Sequence, residues 1–224
     1  MRSNDEIQKD VLAEIKWDPE LKDVHTQIGV AVKDGVVTIS GLVNTYRKKR
    51  AAEQAAQRVR GVKVVACDIE VKIGSFGKKS DTEIAEVIKD ALRWNSAVNE
   101  DKIEVKVDNG WVFLDGEVEW NFQKTSAEDS IESLLGVRGI TNNISIQKPE
   151  IDILDIKGKI AGAFHRAATI DSNSIKIETR GSSVQLSGKV RSMAEKKDAE
   201  RIAWSSPGVL TVDNKITVNS EILA

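Results

Sequence analysis

Asp34-Gly35-Val36-Val37-Thr38-Ile39-Ser40-Gly41, followed twenty residues later by Gly61-Val62, decides the fold because the pattern occurs three times. The second copy reads Asn109-Gly110-Trp111-Val112-Phe113-Leu114-Asp115-Gly116 with Gly136-Val137. The third reads Gly181-Ser182-Ser183-Val184-Gln185-Leu186-Ser187-Gly188 with Gly208-Val209. Three equal spacings mark an internal repeat, and a repeat sets the architecture before any single element is weighed. The pair opening each copy supplies the positive φ that a two-residue hairpin turn needs. The strand after it places Val37 and Ile39, Val112 and Leu114, and Val184 and Leu186 on one face.

Working outward, a partner strand precedes each hairpin turn, with Ile28, Val30 and Val32, then Ile103, Val105 and Val107, then Ile175, Ile177 and Thr179 alternating. An amphipathic helix opens each unit through Ile7, Val11 and Ile15, through Ile84, Ile88 and Leu92, and through Ile156, Ile160 and Phe164. Asp5 and Ser80-Asp81 are N-cap or first-turn residues. A second helix covers the hairpin with Ala52, Ala55, Ala56 and Val59, then Ala127, Ser130, Ile131 and Leu134, then Ala199, Ile202 and Ala203. It stops at Gly61, Gly136 and Gly208. One last strand follows, carrying Val65, Ile69 and Val71, then Ile140, Ile144 and Ile146, then Val212, Ile216 and Val218.

The fold class is therefore α+β: three tandem α-β-β-α-β modules at residues 5–73, 80–147 and 152–219. Each is a small mixed three-stranded sheet with two helices on one face and water on the other. Modules of about 66 to 70 residues can each build only a modest core.

The chain is almost neutral, with 33 Lys and Arg against 35 Asp and Glu. That average hides an acidic centre: residues 80–147 hold six basic and fourteen acidic side chains, against twelve and eleven in 5–73 and eleven and eight in 152–219. Such a balance argues against a specific nucleic-acid partner and favours attraction between modules. Cys67 is the only cysteine, which excludes an internal disulfide. No stretch reaches the roughly 18 apolar residues of a transmembrane segment. The first residues enter a charged helical pattern with no apolar run of a signal peptide. The expected location is cytoplasmic, or periplasmic where an export signal has been removed.

No catalytic set emerges. His25 and His165 hold non-equivalent places, and Cys67, aligned with Asn142 and Asn214, reads as a structural thiol. The glycine pairs open no helix and form no phosphate-binding loop. The expectation is a protein that is not an enzyme and holds no cofactor and no metal.

The segment between the second strand and second helix is more informative. It reads Tyr46-Arg47-Lys48-Lys49-Arg50 in the first module, offers Trp120, Phe122 and Lys124 in the second, and Met193, Lys196 and Lys197 in the third. Aromatics beside cations suit anionic phospholipid headgroups, each cation contributing about 1 kcal/mol near an anionic surface. The other reading is a solvated helix start whose aromatic packs on its own core. Trp111 and Phe113 should point away from the helices, where the other modules carry Val36 and Thr38, and Ser183 and Gln185. They are a candidate protein interface. Trp17 and Trp94, ending the opening helices, read as lids on small cores, with interfacial anchors as the other reading. Asn99-Glu100-Asp101 with Glu117, Glu119, Glu128 and Asp129 raise cation binding, against a solvated acidic face.

Three α-β-β-α-β units in register, each with the strand-ending Gly and the later Gly-Val, resemble BON domains, and the resemblance spans nearly the whole chain. It implies the bacterial envelope, osmotic or other stress, and proposed phospholipid binding. Many members are exported. With the resemblance, the expected function is a non-enzymatic bacterial stress- or envelope-associated binding protein contacting anionic phospholipid through several weak sites. The alternative is a protein-interaction scaffold or homo-oligomer, and a cation-binding protein is third.

Overall fold

The computed structural model describes residues 2–74, 78–147, 155–167 and 169–218. The first repeat contains α1 (Asn4–Trp17), β1 (Ile28–Lys33), β2 (Val36–Val43), α2 (Tyr46–Arg58) and β3 (Val64–Val71). The second contains α3 (Asp81–Trp94), β4 (Ile103–Asp108), β5 (Trp111–Val118), α4 (Asn121–Ile131), β6 (Gly139–Asn142) and β7 (Ser145–Ile146). The third contains α5 (Ile156–Arg166), β8 (Ile175–Arg180), β9 (Ser183–Val190), α6 (Met193–Trp204) and β10 (Thr211–Val218).

In every sheet the second hairpin strand is central, giving the orders β1-β2-β3, β4-β5-β6 and β10-β9-β8. β4 and β5 are antiparallel, with Asp108 opposite Trp111, because a two-residue turn joins them. β6 and β10 run parallel to β5 and β9, because a helix carries the chain back across the sheet before each one. The sheets are mixed and the fold is α+β, as the repeat pattern requires. One strand differs from expectation. The last strand of the second repeat is divided, and β7 continues along β5 in the register of β6, with Ser145 opposite Glu117.

Local chemistry fixes the ends of these elements. Ser3 and Ser80 cap α1 and α3, each accepting from the backbone of Glu6 or Glu83, whose carboxylate in turn accepts from the cap's own N–H. Asp81 sits in the first turn, where its carboxylate accepts from the N–H groups of Asn109 and Gly110 at 2.8 and 2.9 Å. It ties the helix start to the hairpin turn. In the first two hairpins both turn residues have positive φ; in the third only Gly181 does, so Ser182 is not the left-handed residue the pattern predicts.

The strand-ending glycine answers a close approach. Gly116 has φ +139°, and a Cβ there would stand 2.1 Å from the Lys102 carbonyl oxygen. Gly188 repeats this with φ +132° and Ser174 at 2.1 Å. A side chain fits neither place.

The third repeat shows the core. Ile160 and Phe164 of α5 and Ala199 and Ala203 of α6 close over Ile177, Val184, Leu186 and Ile216 of the sheet. Each large side chain so buried contributes about 1.5–3 kcal/mol. Two compact packing units emerge, one holding most of the first repeat with the third, the other holding residues 41–50 and the end of the first repeat from Ile69 with the second.

Candidate functional site

Tyr46 and Met193 are the first residues of α2 and α6, and Trp120 is the residue before α4, so the aromatic-basic segments are helix starts. Much of their charge is engaged within the protein. Lys49 Nζ donates to the Ile69 carbonyl at 2.8 Å, and Lys124, at the corresponding place, donates to the Ile144 carbonyl at 2.7 Å. Lys49 ties its helix to β3, and Lys124 ties α4 to the break between β6 and β7. Burial holds the Lys124 ammonium below its usual range, only partly offset by Glu128. Arg47 Nη1 donates to Glu132 Oε1 at 2.5 Å, and Arg50 Nη2 lies 3.9 Å from Glu128 Oε1. Burial raises the Glu132 carboxyl, and Arg47 opposes that rise.

Exposure divides the remaining members of this set. Tyr46 is buried, Lys48, Met193 and Lys196 are half-buried, and Lys197 is exposed. Trp120 and Phe122 are exposed on the second repeat. On the outer face of that repeat's sheet, Trp111 Nε1 donates to Thr141 Oγ1 at 2.8 Å. Lys106 Nζ stands 5.7 Å from the Phe113 ring centroid, within cation–π range.

Trp17 and Trp94 are the correction. Expected as lids, they are 84% and 86% exposed. Helix geometry explains it: each stands two residues beyond the last buried residue, Ile15 or Leu92, and so is turned about 200° away from the buried stripe. Each follows a cation, Lys16 or Arg93, in the last helical turn. The angular count in the sequence carries this signal.

Among the described residues, reactive groups do not assemble. Ser172 Oγ and His165 Nδ1 are 3.0 Å apart, but no carboxylate among the described residues is hydrogen-bonded to His165 to orient it as a base. Among the described residues, no group of three or more His, Cys, Asp or Glu side chains is placed to hold a metal ion. Glu128 of the acidic set accepts from Asn142 Nδ2 at 3.3 Å besides lying near Arg50. No described helix is long and apolar enough to cross a membrane.

One structural role is missing from the sequence reading. Asn142 Nδ2 donates to the Lys124 carbonyl while its Oδ1 accepts from Ile144 N–H, and Asn214 does the same with Lys196 and Ile216. These amides stitch the second helix to the last strand at the position Cys67 holds in the first repeat.

A family profile described as "BON domain" matches residues 3–73, 80–148 and 152–220. The chain is 31% identical over 159 residues to osmotically-inducible protein Y of Escherichia coli, covering 65% of this chain and 75% of that protein. It is 28% identical over 146 residues to the 21 kDa hemolysin of Actinobacillus pleuropneumoniae, covering 64% and 73%. Among solved structures, CdsD, a structural protein of the Type III secretion system of Chlamydia trachomatis, aligns over 96% of this chain and 92% of that one. The identity there is 14% and the TM-score 0.26, and that likeness carries no argument.

Proposed function

The chain belongs to the BON domain family, and from that premise we propose that it is a non-enzymatic protein of the bacterial osmotic-stress response that binds anionic phospholipid surfaces through several weak contacts. The observation that carries this reading is the exposure of Trp17 and Trp94, at 84% and 86%, at corresponding helix ends of two repeats. An indole held in water forgoes the burial of about 150–250 Å² of largely apolar surface, and its amphipathic ring suits the headgroup level of a bilayer. Lys16 and Arg93 beside the rings add an attraction of about 1 kcal/mol each to an anionic surface. The exposed Trp120 and Phe122 supply further aromatic surface. Glu132 already engages Arg47 Nη1, so the tryptophans lead and the helix-start cations assist. The name of osmotically-inducible protein Y supports the stress context.

Vesicle sedimentation tests it. The full chain should sediment with phosphatidylglycerol vesicles and not with phosphatidylcholine vesicles, less so at higher salt. Trp17→Ser with Trp94→Ser should weaken that binding about tenfold or more. Equal sedimentation with both lipids at low salt would overturn the reading.

A further inference from the structure

The paired ends of the two helices are joined differently in each repeat. In the first, Arg58 of α2 reaches Glu14 Oε1 at 2.8 Å and Asp18 Oδ2 at 3.1 Å, so an ion-pair cluster fills the gap beside α1. In the second, Asn95 Nδ2 donates to Ser130 Oγ at 2.7 Å and to the Ser126 carbonyl at 3.3 Å on α4. In the third, the positions of Glu14, Asp18 and Arg58 are held by Ala163, Ala167 and Ser205. These side chains are too short to bridge the helices, and a cleft of about 490 Å³ opens between the ends of α5 and α6.

The cleft has a definite chemistry. Lys159, Arg166 and Arg201 line it, and no carboxylate is among its described lining residues. Repeat position does not demand these cations. Asp10 and Val87 correspond to Lys159, Trp17 and Trp94 to Arg166, and Gln54 and Asp129 to Arg201. Arg201 also pairs with Asp198, three residues before it on the helix, at 3.3 Å. Ser206 lines the cleft where the other repeats carry Val59 and Leu134; it is 8% exposed, and its Oγ has no hydrogen-bond partner. A buried hydroxyl at an otherwise apolar position is costly until something accepts from it. The two helix C-termini oppose an anion with about half an elementary charge each. Three full cations outweigh them even with Asp198 counted against one.

We propose that this cleft binds a phosphate ester: Arg166 and Arg201 pair with phosphoryl oxygens, Lys159 adds charge, and Ser206 Oγ donates to a ligand oxygen. Guanidinium groups match phosphoryl oxygens in forked pairs. The alanines that replace the ion pair leave room for the small organic part. The inference deepens the anionic-ligand reading by giving it a second, side-chain-lined site; a lipid headgroup and a soluble phosphate ester share this chemistry.

The test is an amide-resolved NMR titration of the full chain with glycerol 3-phosphate, inorganic phosphate and phosphatidylglycerol vesicles. Saturable shifts confined to residues 159–167 and 201–206 are expected with glycerol 3-phosphate. Arg166→Ser and Arg201→Ser should each weaken binding about tenfold. Ala163→Glu with Ser205→Arg, which restores the filling found in the first repeat, should abolish it. Ser206→Val should weaken binding while raising the Tm, a pairing that a purely structural serine would not give. Weaker sedimentation of the Arg166→Ser and Arg201→Ser variants with the vesicles would assign the ester to lipid; unchanged sedimentation with the glycerol 3-phosphate shifts lost would assign a soluble ester. No saturable shift with either small phosphate, or equal affinity in the refilled variant, overturns the site. Loss of vesicle binding with these shifts retained would sink the membrane reading and leave the cleft standing.

Discussion

The indole of Trp111 lies over Gly139, its register partner on the neighbouring parallel strand, so closely that a Cβ at residue 139 would stand 2.6 Å from the ring. The third repeat pairs Ser183 with Thr211 at this place, and the first has Val36 and Val64 at the corresponding positions. The second repeat has moved side-chain volume from one strand to the other. Gly139→Val with Trp111 retained should therefore cost about 1–3 kcal/mol by overpacking. Adding Trp111→Val should restore most of it, with a coupling above about 0.5 kcal/mol in a urea double-mutant cycle. Simple additivity would dismiss the pairing.

Gly116 offers a sharper contrast. Its φ of +139° and the 2.1 Å approach of a Cβ to the Lys102 oxygen leave an alanine no relaxed position. Gly116→Ala should lose about 1–3 kcal/mol from the backbone alone, and more from the overlap. Gly74, with nothing within 4 Å of its Cβ position, is the control, and Gly74→Ala should stay within about 0.5 kcal/mol of the parent by thermal unfolding.

The elements are legible in the sequence because each follows a short-range rule: Val37 and Ile39 at period two, Ile84, Ile88 and Leu92 on one stripe, a turn pair before every return strand. The exposure of Trp17 and Trp94 is equally local once the angle from Ile15 and Leu92 is counted. The commitments of the helix-start cations are not local. Lys49 and Lys124 bond carbonyls twenty residues away, and Arg47 meets an acid 85 residues away. No pattern near residue 47 announces Glu132. The cleft of the third repeat becomes visible only when the side chains that fill it elsewhere are seen in place.

The capping boxes make stability depend on pH with a definite sign. Hydrogen bonds from the Ser3 and Ser80 backbone and side chains hold the Glu6 and Glu83 carboxyls below their usual range. A carboxyl whose folded pKa is depressed contributes stability that is present above its unfolded pKa and lost as pH falls through the folded value. Urea midpoints should fall on acidification through and below the ordinary glutamate range. Glu6→Gln with Glu83→Gln, which keeps the amide geometry of the box without the titrating group, should show a shallower fall. Parallel curves for parent and variant would remove the boxes from the acid response.

Cys67 stands where Asn142 and Asn214 each bond both a helix carbonyl and a strand N–H. A thiol carries a weak donor and a weak acceptor on one sulfur, where the amide carries a strong donor and a strong acceptor on two atoms. Asn214→Cys should lower stability by about 1–3 kcal/mol, because the Lys196 carbonyl and the Ile216 N–H lose a partner in a half-buried place. Cys67→Asn should raise the Tm if the first repeat keeps the same backbone path, since Glu53 occupies the position of Glu128 and Glu200, the other acceptors of the asparagine amides. A fall in Tm for Cys67→Asn would overturn the equivalence of the three positions.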